Sequence, residues 1–175
     1  MLKLDFDIVC PVGAREMIYR HPYRMVTENA AVKARDALRR IKRKDVLVCG
    51  FDTVVYLDSK IYGKPESEEE ARHFLLKFNA RVHQVITGVC ILDGETARKS
   101  VDIESTLVEF RELEQNDIEA YLQKEEVLDK AGAYNISGYG AVLINRIEGC
   151  FFNVAGLPVA RFISLVEDFN YKVLD

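Results

Sequence analysis

The stretch VLVCGFDTVVYLDSKIYGKP, residues 46–65, constrains this chain most, because an apolar run stops abruptly at a carboxylate. Val46, Leu47, Val48 and Cys49 are strand-like and apolar. Gly50, Phe51 and Asp52 then interrupt before Thr53, Val54 and Val55 resume the pattern. An ionised aspartate between two β-rich runs must be hydrogen-bonded, ion-paired or metal-bound, since burying it alone is costly. Further on, Gly63-Lys64-Pro65 sets a cation in a stiff turn, where Pro65 fixes its own φ and Gly63 permits close approach to a ligand. Two readings are open on these residues. Asp52 can hold a metal while Lys64 holds a phosphate, as chemistry on a polyphosphate requires, or Asp52 can cap a turn while Lys64 is solvated.

Composition narrows the classes. A chain of 175 residues, 49% hydrophobic and 30% charged, has the makings of one globular domain over residues 1–175 and is neither disordered nor fibrous. Every apolar run is broken within a few residues, so no stretch reads as a signal peptide or a membrane span. The expectation is a cytoplasmic protein with no membrane partner. Cys10, Cys49, Cys90 and Cys150 are far apart and form no C-x-x-C pair, which points to free thiols rather than zinc or redox work. A net charge of −4 argues against a nonspecific nucleic-acid binder, which needs a basic field. A small anionic ligand stays open, provided lysines or a divalent cation gather locally.

Taken in order, residues 4–9 (LDFDIV) alternate with period two and predict a strand, and residues 12–25, with Arg15, Arg20 and Arg24, predict a loop. Thr27 is a candidate cap for a helix reaching about residue 42, with Glu28 in its first turn and Ala30, Ala34, Ala37, Leu38 and Ile41 as its apolar stripe. Lys33 projects along that same face, either snorkelling to water or aimed at something. Ser67 with Glu70 forms a capping-box pattern that starts a helix over residues 68–78, where Ala71, Phe74, Leu75 and Phe78 share a face. Residues 82–92 and 100–110 read as an antiparallel pair around an Asp93-Gly94 turn, and His83 near its start reads as structural. Helical spacing returns over residues 114–122. A glycine-rich segment around Ser137 then leads into an apolar strand at 141–144, and a last helix carries Val159, Phe162, Ile163 and Val166 on one side.

Five islands, in order, resemble one family. GFDTVV (50–55), GKP (63–65), HQVITGV (83–89), DKAGAY (129–134) and EGCFFNVAGLP (148–158) are similar to the Maf family of nucleoside triphosphate pyrophosphatases. The resemblance implies an α/β fold, a long twisted mixed sheet flanked by helices in two lobes with a central cleft, related to the inosine triphosphate pyrophosphatases. It implies hydrolysis of nucleoside triphosphates between the α and β phosphates, giving a monophosphate and pyrophosphate with Mg2+ or Mn2+, and it suggests a homodimer by analogy. Asp52 then matches the catalytic carboxylate of the G-x-D-T motif, which holds the metal or activates water, with Thr53 beside it. Lys33 and Lys64 match lysines that neutralise the triphosphate. Asp129 and Lys130 match the D-K-A-G motif and shape the cleft or support it structurally, and Glu148 matches the E-G motif in the neighbourhood of the site.

The chain also departs from the family pattern. The S-x-S-P-R-R phosphate loop with which the family opens is absent from these residues, and residues 2–11 match the segment that should follow it. The resemblance therefore implies a chain that begins late, through a start site assigned downstream of the true one or through natural loss of activity. The family's acidic stretch after this point has no clean counterpart, and Glu16 is the available substitute as a metal ligand. Ser137 stands where many pyrimidine-preferring relatives carry glutamine, so nucleobase preference is open, with AGAY leaning toward dTTP and UTP. The competing function is a non-catalytic nucleotide-binding or regulatory protein acting in division control, and a third is a structural domain that uses the cleft for protein contact.

Overall fold

The computed structural model describes residues 4–10 and 16–174. Helix α1 (Pro22–Arg40) opens the regular structure, followed by β1 (Leu47–Leu57), β2 (Lys60–Tyr62), α2 (Glu68–Phe78), β3 (Val82–Asp93) and β4 (Lys99–Phe110). Then come α3 (Gln115–Leu122), β5 (Ile144–Glu148), α4 (Phe151–Val154) and α5 (Val159–Glu167), with short 3-10 turns at Ala131–Ala133 and Gly138–Leu143. The strands form one sheet in the order β2-β1-β3-β4-β5.

Every described strand pair is antiparallel, where the family resemblance implied a mixed sheet. Short turns account for two of these pairings. Asp58 and Ser59 both take positive φ, 50° and 63°, which suits a two-residue hairpin between β1 and β2. Between β3 and β4, Asp93 Oδ1 accepts from the Glu95 and Thr96 amides, so the connection is longer than a bare Asp-Gly turn. The α/β class and the helix-flanked sheet are the ones expected.

Strand β1 runs through Gly50, Phe51 and Asp52 without a break, pairing Leu47 with Asp93 through to Tyr56 with Gln84 on β3. The interruption visible in the sequence is one of polarity, not of geometry. Alternation sends Val48, Gly50, Asp52 and Val54 to one face and Cys49, Phe51 and Thr53 to the other. Helix α1 lies on the first face, over β1 and β3. It can come close because its contact residues are small and because two strand positions lack side chains. A Cβ at Gly50 would stand 2.2 Å from the Ala30 carbonyl oxygen, and one at Gly88 would stand 2.4 Å from that of Val26. The buried alanines Ala30, Ala34 and Ala37 meet Val48, Cys90 and Leu92 in this contact.

On the opposite face, Leu165 and Val166 of α5 pack on Val89 and Ile91. Farther along that face, α2 and α3 close a larger cluster in which Phe74, Phe78, Phe110, Ile118 and Tyr134 surround Val55 and Val85. His83 belongs to this cluster as a structural residue. Its Nε2 lies 2.8 Å from the Tyr134 hydroxyl, and its ring stacks on Phe78 with centroids 4.6 Å apart.

Local expectations fail in three places. Residues 4–10 form no strand, because an alternating segment without a paired neighbour has nowhere to place its backbone hydrogen bonds. Helix α1 starts at Pro22, not after Thr27: proline at the first helical position supplies a preset φ, and the Thr27 hydroxyl instead donates back to the carbonyls of Tyr23 and Arg24. The loop expected over 12–25 is therefore shortened by the helix, and Arg15 lies outside the described residues. Residues 141–143 belong to a 3-10 helix, and the strand begins only at Ile144. By contrast α2 spans the expected residues, with Ser67 Oγ accepting from the Glu70 amide.

Candidate active site

Asp52 sits mid-strand on the face covered by α1, with only 7% of its side chain exposed. Two residues of α1, one turn apart, descend on its carboxylate. Lys33 Nζ lies 2.5 Å from Oδ1, and Asn29 Nδ2 donates to Oδ2 at 3.2 Å. Both carboxylate oxygens are thus satisfied, which resolves the burial problem posed by the sequence. The lysine on the apolar stripe is an aimed charge. Its side chain is 21% exposed, and its ammonium also lies 3.1 Å from Glu16 Oε1, so it bridges two carboxylates.

These charges shift one another unequally. Burial raises the Asp52 carboxyl above its usual range, and Glu16 adds to that by repulsion, against the opposing pull of Lys33. Burial works to lower Lys33, but the two carboxylates outweigh it and raise the ammonium above its usual range. Lys33 gains from Glu16 while Asp52 is penalised by it.

A second group forms where two sequence islands meet. The Gly132 amide donates to the Gly63 carbonyl at 2.9 Å, which ties the Gly-Lys-Pro turn to the Asp129-Lys130-Ala131-Gly132 segment. Lys130 Nζ lies 2.7 Å from Asp129 Oδ2, and this hydrogen bond, aided by the nearby charge of Lys64, holds the Asp129 carboxyl below its usual range. Lys64 itself is exposed.

The other expected site residues lie elsewhere. Thr53 points to the opposite face of the sheet from Asp52, where its hydroxyl lies 2.9 Å from that of Thr87. Ser137 is exposed and donates to Asn135 Oδ1 at 3.1 Å. Glu148 ends β5, opposite Leu107, and pairs with Arg146 at 3.4 Å. Among the described residues no hydrogen bond or ion pair joins any of these three, or the Lys64 group, to Asp52.

Asn29 was not legible as a site residue. It is fully buried, and the only trace it leaves in the sequence is a polar side chain four residues before Lys33 and one before Ala30.

Asp52 and Glu16 converge on a single ammonium, so their oxygens lie within one cation's neighbourhood. Among the described residues no cluster of three or more acidic, histidine or cysteine side chains forms a metal cage. Asp52 and Glu16 are the described carboxylates that would share a divalent cation, leaving its remaining places to water and substrate phosphate. Also among the described residues, no helix is long and apolar enough to cross a membrane.

A family model described as Maf-like protein matches residues 1–169. The chain is similar to the dTTP/UTP pyrophosphatase of Caldicellulosiruptor saccharolyticus, at 37% identity over 98% of this chain and 87% of that protein. It is 42% identical to the dTTP/UTP pyrophosphatase of Thermotoga maritima, over 91% of this chain and 76% of that one. The dTTP/UTP pyrophosphatase of Ruminiclostridium cellulolyticum is 35% identical, over 99% and 90%.

Proposed function

The chain belongs to the Maf-like family, and we propose that it is a nucleoside triphosphate pyrophosphatase acting on dTTP and UTP with magnesium or manganese. The observation that carries this reading is the buried Asp52 held at 2.5 Å from Lys33, a charge pair set into a sheet face where apolar side chains would pack more cheaply. The names of the similar proteins supply the substrate class.

Asp52 and Glu16 would hold the metal through hard oxygen donors, and the bound ion would neutralise negative charge on the phosphates. Lys33 supplies a fixed cation beside the same carboxylates. Lys64, on its turn next to Asp129 and Lys130, meets the outer phosphates. Water attacks the α-phosphorus and loses its proton to Asp52, while the α–β bridging oxygen leaves with pyrophosphate.

The test is a product assay. The chain is incubated with magnesium or manganese and a panel of canonical and modified triphosphates, and pyrophosphate is resolved from orthophosphate, in parallel with Asp52→Asn. Monophosphate plus pyrophosphate from dTTP and UTP, abolished in the variant, is the expected result. Orthophosphate release, or turnover that survives Asp52→Asn, would overturn the reading, and nucleotide binding without turnover would assign the chain a binding role.

A further inference from the structure

Asn29 does more than complete the Asp52 carboxylate. Its Oδ1 accepts from the Met17 amide at 2.8 Å, and its Nδ2 donates to the Met17 carbonyl at 3.2 Å as well as to Asp52 Oδ2. One carboxamide thus pairs with both backbone groups of Met17 in the manner of a strand neighbour while holding the carboxylate from the other side. Met17 directly follows Glu16, whose carboxylate reaches Lys33 at 3.1 Å. Little else anchors this segment. No residue from Glu16 to Arg20 is buried, and Ile18 is 92% exposed. Its other described attachments are the Glu16–Lys33 ion pair itself and Arg24 stacked over Tyr19 at 4.7 Å.

We propose that Asn29 is a positioning residue whose carboxamide docks the backbone of Met17 and so brings the Glu16 carboxylate to the Lys33–Asp52 pair. The docked segment is long in polar reach and short in apolar contact, so a single side chain decides where Glu16 stands. What the placed Glu16 contributes rests on the hydrolase reading above, whereas the docking does not.

The experiment has two arms. Amide hydrogen exchange by NMR reads the Met17 N–H in the wild-type chain, in Asn29→Leu, and in Asn29→Ser as the milder substitution should the leucine variant fold poorly. Exchange at Met17 should accelerate at least tenfold in the variants while the amides of β3 stay protected. Unchanged exchange at Met17 would overturn the proposal whatever the chain hydrolyses. The second arm is a double-mutant cycle on dTTP turnover with Glu16→Gln. Each single variant should lower kcat about tenfold with KM little changed, and the double variant should be no slower than the worse single one, because Asn29 acts through Glu16. Effects that multiply would show that Asn29 serves Asp52 alone, and would also overturn the proposal. A wild-type chain without turnover would sink the hydrolase reading and leave the docking to be decided by exchange.

Discussion

Lys33 Nζ and Asp52 Oδ1 stand 2.5 Å apart although they come from different elements, a helix and the strand beneath it. The contact is a consequence of how closely α1 can approach β1. Removing the lysine should therefore cost more than removing the charge it faces. In Lys33→Met a carboxylate that is 7% exposed loses its cation, and stability should fall by roughly 3 kcal/mol. Asp52→Asn keeps the shape and gives up the buried charge, so it should lose turnover with a smaller change in stability. Urea unfolding of both variants at neutral pH decides this, and a Lys33→Met variant as stable as Asp52→Asn would contradict it.

Gly50→Ala should be among the most damaging small substitutions in the chain. The added methyl would meet backbone, the Ala30 carbonyl at 2.2 Å, and a helix backbone cannot swing aside as a side chain can. A loss of about 3 kcal/mol is expected, together with lower turnover as Lys33 is lifted away from Asp52. Full activity at reduced stability would show that the distance between helix and strand does not set the chemistry.

His83 gives a dependence on pH with a definite sign. Burial holds its pKa down at about 3, against 6.5 when unfolded, so the ring stays neutral in the folded chain. The unfolded chain takes up the proton first as pH falls. The stability contributed by the neutral ring is complete above pH 6.5 and is lost progressively between pH 6.5 and about 3, at about 1.4 kcal/mol per pH unit. Between pH 7 and pH 5 this amounts to about 2 kcal/mol. His83→Phe should remove that share of the pH slope, while leaving the Tyr134 hydroxyl unpaired at a cost of roughly 1–2 kcal/mol at pH 7. Parallel pH profiles for the two proteins would refute the assignment.

Lys64 is exposed on its turn and should matter to substrate and hardly at all to the fold. Lys64→Ala is expected to change stability by less than about 0.5 kcal/mol. KM for dTTP should rise roughly tenfold, the worth of one charge-assisted contact to phosphate. Steady-state kinetics beside a melting curve separates these effects.

Asp52 and Lys33 were legible because each breaks a pattern, a carboxylate within an apolar run and a lysine on an apolar stripe. What they share, direct contact, was not, since nothing in either segment states the helix-to-sheet distance. That distance depends on Gly50 and Gly88, whose part is visible only once α1 lies across both strands. Asn29 carries no signal in the sequence, because a lone asparagine in a helix is usually solvated and its Met17 partner lies in a segment without periodicity. Helix α2 was legible to the residue because its cap and its stripe agree. Residues 4–9 form no strand despite their alternation, because alternation describes a strand's faces and says nothing about whether a neighbour exists to receive its hydrogen bonds.

Ala30 and Ala34 act as spacers with a fixed thickness between α1 and the sheet. A bulkier residue at either position would loosen the interface and in the same step shift the ammonium over Asp52. On the hydrolase reading proposed here, a change in this apolar contact alone would register as a change in turnover, because the helix's standoff from the sheet sets where the ammonium stands over Asp52.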